Sequence, residues 1–132
     1  MIQKIDHVAI IVKDLDVAVK NYAEMFGFKL EEMREGPGGE FKSVHVRVND
    51  ITLEFLDPLI EDSSYGRFFK ERGGGLHHIS FATDDIESEM ASIQSQGRKL
   101  VSEKPISLPD ARVAYVHPSA AENVLIELVQ RD

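Results

Sequence analysis

The sequence predicts an α+β fold of two paired βαβββ modules, and three observations predict it. Short apolar runs with the period of strands recur along the chain, each half carries one amphipathic helical stretch, and the two halves repeat one another in order. At 132 residues the chain is one domain's worth of sequence, long enough to bury a core. It reads as a single domain over 1–132, made of a first module (1–57), a linker (58–75) and a second module (76–132).

The first strand is expected over 5–12, where His7-Val8-Ala9-Ile10-Ile11-Val12 is apolar and rich in β-branched residues. Asp14 then precedes Leu15, Val17, Ala18, Val19 and Tyr22, a spacing that lays an apolar stripe along a helix with Asp14 as its cap and a stop near Gly27. A strand is expected over 28–33, followed by a loop at Glu35-Gly36-Pro37-Gly38-Gly39. Val44, Val46 and Val48 alternate with His45 and Arg47, the period of a strand with one buried face. Asn49-Asp50 turns the chain into Ile51-Thr52-Leu53-Glu54-Phe55-Leu56, which completes a hairpin.

The linker differs in character, with Pro58, Asp62-Ser63-Ser64, a short helix through Arg67-Phe68-Phe69-Lys70 and three glycines at 73–75. The Phe68-Phe69 pair reads as core. After it the order returns: a strand over 76–82, a helix over 85–96, a strand over 99–101, a loop containing Pro105 and Pro109, and strands over 112–116 and 124–129. His7-Val8-Ala9-Ile10 with Asp14-Leu15-Asp16 matches His78-Ile79-Ser80-Phe81 with Asp85-Ile86-Glu87 at a constant offset of 71. Ile51 to Leu56 matches Val124 to Val129 at an offset of 73. A period this long fits a duplicated module whose copies pair, not a solenoid.

Composition narrows the function. With 15 basic and 23 acidic side chains the formal charge is −8, which argues against nucleic acid or an anionic membrane surface as the partner. The absence of cysteine removes disulfides, thiolate metal sites and a cysteine nucleophile. No apolar run reaches the roughly 18 residues of a membrane span, and the first residues lack the core of a signal peptide, so a cytoplasmic protein is expected.

The chemistry follows from the repeat. His7, Glu54, His78 and Glu127 fall at equivalent points of the two modules, each inside an apolar strand where a polar side chain is costly unless satisfied. If the modules pack edge to edge about a pseudo-twofold axis, two neutral imidazoles and two carboxylates converge, and their charge of −2 offsets that of a divalent ion. Without a thiolate, such a set suits Co, Ni, Mn, Fe or Zn with coordination positions left open.

These residues carry a resemblance. Asp6-His7-Val8-Ala9-Ile10, Leu76-His77-His78-Ile79, and Tyr115-Val116-His117-Pro118 with Val124-Leu125-Ile126-Glu127-Leu128 resemble the vicinal oxygen chelate superfamily of glyoxalase-like proteins, and within it the methylmalonyl-CoA epimerases most closely. Leu53-Glu54-Phe55-Leu56-Asp57-Pro58-Leu59 with Asp62-Ser63 resembles the same pattern, and the likeness covers nearly the whole chain. It implies a glyoxalase-like fold, one divalent metal ion and no organic cofactor, a homodimer, and a small-molecule substrate. The implied activity is epimerisation of methylmalonyl-CoA or a similar acyl-CoA thioester, with His7, Glu54, His78 and Glu127 on the metal and Glu127 also moving the proton. Glyoxalase I (lactoylglutathione lyase), whose His, Glu, His, Glu order is also reproduced here, is the alternative, with a glutathione adduct as substrate. A non-catalytic resistance protein of the same fold that binds small molecules is a third reading, against which the retention of all four ligand types argues.

The resemblance also marks departures. Ser43 stands on the third strand where some epimerases carry a glutamate, and Glu40 lies near enough in sequence to substitute for it. The stretch Ser107-Leu108-Pro109-Asp110-Ala111-Arg112 stands where epimerases tend to be glycine-rich, Ala120-Ala121-Glu122-Asn123 replaces a paired glycine before the last strand, and Lys42, Arg47, Arg67 and Lys70 are available for phosphate contacts. His77 should face away from His78 and read as structural. His45 is expected to be exposed or pocket-lining, and His117 to serve either a turn or substrate contact.

Overall fold

The computed structural model describes all residues from Met1 to Asp132 and divides into two compact units. The first is His7–His77, and the second joins Met1–Asp6 to His78–Asp132. The chain therefore changes unit twice, between Asp6 and His7 inside strand β1 (Ile2–Ile11) and between His77 and His78 inside strand β5 (Gly75–Thr83).

In the first unit, helix α1 (Leu15–Phe26) starts where the Asp14 carboxylate accepts the Val17 N–H at 3.1 Å, the cap expected from sequence. It ends at Gly27, whose φ of 69° is left-handed and whose N–H donates to the Ala23 carbonyl at 2.8 Å. Strand β2 is only Arg34–Glu35, and β3 (Phe41–Val48) and β4 (Ile51–Pro58) form the hairpin. The strand order is β2-β3-β4-β1, with β1 parallel to β4 and the other pairs antiparallel. Because strand side chains alternate, Phe55, Val44 and Val46 face α1 and pack on Leu15, Val19 and Tyr22. The fully buried ring of Phe55 supplies about 2 to 3 kcal/mol of this burial.

On the opposite face Ala9, Ile11 and Leu56 pack with Phe68 and Phe69 of helix α2 (Ser64–Arg72), in accord with the reading of that pair as core. Helix α2 is longer than the short helix expected, because the Ser63 hydroxyl caps it by accepting the Gly66 N–H at 3.0 Å. Gly74, at a φ of 108°, lets the backbone pass where an added Cβ would lie 2.9 Å from the Ile11 carbonyl oxygen, so the glycine tract is a point of close approach to β1.

The second unit repeats this plan. Helix α3 (Ile86–Ser95) is capped by Asp85, which accepts the Ser88 N–H at 3.0 Å. Strands β6 (Ile106–Leu108), β7 (Ala111–Val116) and β8 (Ile126–Arg131) give the order β5-β8-β7-β6, with β5 parallel to β8. Ile86 and Met90 of α3 cover Ala114 and Leu128, while Ala82, Val113 and Val129 pack on the other face. No helix is long and apolar enough to cross a membrane.

Two expected strands do not form, and for the same reason in both units. Residues 28–33 are irregular: Phe28 and Leu30 reach the core, but only the Glu31 N–H bonds to the His45 carbonyl before β2 begins. Residues 99–101 reduce to a single bridge, Leu100 to Val116, and the strand lies instead at 106–108, where Pro105 and Pro109 had suggested a loop. Each has too few backbone bonds for a ladder: one at 28–33, and two at 99–101, where the Val101 N–H donates to the Tyr115 carbonyl at 2.8 Å and the His117 N–H to the Lys99 carbonyl at 3.0 Å.

Candidate metal centre

The two units place their central carboxylates in equivalent rows. In the second unit Glu127 on β8 lies in register between Ser80 on β5 and Tyr115 on β7. In the first unit Glu54 on β4 lies in register between Ala9 on β1 and His45 on β3. These rows stand on the faces turned away from α1 and α3, since Phe55 and Leu128, the next residues in β4 and β8, face those helices.

Glu127 is buried, and its surroundings are polar. The Ser80 hydroxyl, itself fully buried, donates to Glu127 Oε1 at 2.8 Å. His78 Nε2 lies 3.6 Å from Glu127 Oε2, with side-chain exposures of 2% and 7%. That distance is long for a hydrogen bond and close to the separation of two donors each about 2.1 Å from one ion. The Tyr115 ring meets the imidazole of His78 edge-on, with centroids 6.2 Å apart at 84°. An imidazole and a carboxylate held this way, in a sheet interior without thiolates, form a donor pair suited to a divalent ion.

In the first unit Glu54 Oε2 lies 3.3 Å from His45 Nε2, and the two side chains are 16% and 19% exposed. His45 is thus partly buried and faces a carboxylate. His7 is buried and is the first residue of this unit's part of β1. Its neighbour Asp6 is anchored in the second unit, where Arg131 donates to both Asp6 oxygens, from Nε at 3.0 Å and from NH2 at 2.7 Å.

The remaining candidates separate clearly. His77 is half-buried and packs between the Tyr65 and Phe68 rings, at centroid distances of 4.9 Å and 4.9 Å, which fits the structural reading. Ser43 is buried on β3 opposite Leu56, and Glu40 is exposed in the turn that precedes β3. His117 caps the turn Pro118–Ala120, its Nδ1 accepting the Ser119 N–H at 3.1 Å. Arg67 pairs with Asp62 at 2.8 Å and Lys70 with Glu61 at 3.6 Å, both on the exposed surface.

Ser80 and Tyr115 were not among the residues selected from sequence, yet both stand beside Glu127. A signal for Ser80 was present: the offset of 71 that pairs His7 with His78 also pairs Ala9 with Ser80, and a polar residue replacing alanine beside a buried carboxylate marks a partner for it.

Burial lowers the pKa of His77 to about 4, aided by the positive charge of Arg72 and opposed by Glu54. The folded value lies below the ordinary 6.5, so the unfolded chain takes up a proton that the folded one refuses as pH falls from 6.5 towards 4. The stability carried by neutral His77 is thus intact above that window and lost through it, by about 2 kcal/mol between pH 7 and pH 5. Urea titrations of wild type and His77→Phe should show the loss only in wild type. Equal pH dependence in both proteins would rule out this role for His77.

The model of the glyoxalase/bleomycin resistance protein/dioxygenase superfamily matches residues 6–115. The chain belongs to this superfamily. Superfamily relatives include the mitochondrial methylmalonyl-CoA epimerase of Homo sapiens, 32% identical over 129 residues that cover 96% of this chain and 73% of that protein. The ethylmalonyl-CoA/methylmalonyl-CoA epimerase of Cereibacter sphaeroides is 29% identical over 133 residues, covering 98% and 99%. Among solved superfamily structures, a single-substitution variant of Streptomyces coelicolor methylmalonyl-CoA epimerase in complex with 2-nitronate-propionyl-CoA matches with a TM-score of 0.89. It is 29% identical, and the match covers 99% of this chain and 96% of that one. The expected fold class, α+β and glyoxalase-like, is the one found.

Proposed function

We propose that this protein is a metal-dependent epimerase of methylmalonyl-CoA or a similar acyl-CoA thioester. His7, His78 and Glu127 are the proposed ligands of one divalent ion, with Glu54 proposed as a fourth donor and Glu127 as the group that moves the proton. The observation that carries the reading is the buried pair of His78 Nε2 and Glu127 Oε2 at 3.6 Å, a carboxylate and an imidazole kept dry and facing one another. Likeness to epimerases over nearly the full chain supports the acyl-CoA substrate.

An ion held by these ligands would place positive charge beside the substrate carbonyl and so make the adjacent C–H more acidic. The chain's own residues supply the rest. Glu127 accepts the Ser80 hydroxyl through Oε1 and turns Oε2 towards His78, and burial strengthens every charge interaction around this carboxylate. Ser43, buried where some epimerases carry a glutamate, is a poor base.

The test is solvent deuterium exchange at the carbon next to the thioester of methylmalonyl-CoA, run beside consumption of the methylglyoxal–glutathione adduct. Exchange without adduct consumption is the expected result. Consumption of the adduct alone would replace the epimerase reading with that of a lactoylglutathione lyase, and neither reaction would defeat both.

A further inference from the structure

The two carboxylate rows are equivalent in backbone and unequal in chemistry. Reading across each row from its parallel neighbour, the second unit has Ser80, Glu127 and Tyr115, and the first has Ala9, Glu54 and His45. A buried hydroxyl therefore stands beside one glutamate, and a methyl group stands at the same place beside the other.

We infer that Ser80 is a positioning residue for Glu127, an inference that rests on the metal reading above. Its hydroxyl donates to Oε1 at 2.8 Å, so this oxygen is committed to a neutral donor and rotation of the carboxylate is restrained. Oε2 is then the oxygen that faces His78. Ser80 has no exposed surface, and a buried hydroxyl keeps its place only where its hydrogen is used. At Ala9 no such donor exists, and Glu54 Oε2 instead lies 3.3 Å from His45 Nε2, a partner on the opposite neighbouring strand. The duplicated modules thus hold one glutamate in a single orientation through a hydroxyl, while the other takes its contact from an imidazole. Residues that orient a metal ligand in this way change metal affinity without touching the metal, typically by about 10- to 100-fold.

Co²⁺ titration tests this, followed by calorimetry and by the visible absorption of the bound ion, on wild type, Ser80→Ala and Ser80→Thr. Ser80→Ala should bind Co²⁺ at least about tenfold more weakly, with a changed visible spectrum, and Ser80→Thr, which keeps the hydroxyl, should restore both. On a Glu127→Ala background, which removes the acceptor of the Ser80 hydroxyl, Ser80→Ala should add no further loss. Unchanged affinity and spectrum in Ser80→Ala would overturn the role of Ser80 and leave the metal reading standing, whereas wild type that binds no Co²⁺ would overturn both. If Ser80→Ala does not fold, Ser80→Thr decides: a tenfold loss there, with the hydroxyl kept, overturns the inference.

Discussion

Glu127→Gln should lower deuterium exchange into methylmalonyl-CoA by about 10³-fold, within the roughly 10²- to 10⁴-fold range of a lost acid–base group. Glutamine has the same shape, and its carbonyl oxygen can still accept the Ser80 hydroxyl, so the buried row is preserved. What it removes is the negative charge facing His78 and the ability to take a proton. Circular dichroism should show an unchanged fold, and mass spectrometry of the thioester reads the exchange. Activity within tenfold of wild type would show that the proton moves elsewhere.

Chelation should produce the second large effect. Dialysis against EDTA should abolish exchange and lower the thermal midpoint by about 10 °C. An ion at about 100 times its Kd stabilises the folded state by about 2.7 kcal/mol, and each kcal/mol moves a domain of this size by several degrees. The stabilisation would have a local origin: a divalent charge would offset that of the Glu127 carboxylate buried in the sheet. Restoring Co²⁺ should recover both signals, read by differential scanning fluorimetry and by the exchange assay. A midpoint and an exchange rate that ignore EDTA would sink the metal reading.

Much of the fold was legible because its signals are local. Asp14 and Asp85 cap their helices with side chains three residues from the N–H groups they accept, and Gly27 ends α1 because a left-handed residue was needed there. Alternation at Val44, Val46 and Val48 reports one buried face and predicts β3. Local signals failed at 28–33 and 99–101, where apolar spacing predicts strands but the backbone bonds to the neighbouring strand stop after one and after two. At 106–108 the partner was present, and a strand formed between two prolines.

The candidate site divides along the same line. His7, Glu54, His78 and Glu127 could be picked out of the linear chain, since a polar residue inside an apolar run is visible there and the repeat pairs one half with the other. Their neighbours could not. Ser80 and Glu127 are 47 residues apart, and whether they meet depends on the register of β5 against β8. A slip of two residues in that register keeps every side chain on its proper face, so alternation is blind to it. Packing of Leu128 with Phe81 under α3 and of Val129 with Ala82 favours one register, and with it the hydroxyl that holds Glu127. The linear pattern thus established two like modules and the residue types that could bind a metal, whereas the folded sheets decided that the two glutamates are held differently, because contacts across strands are set by tertiary packing.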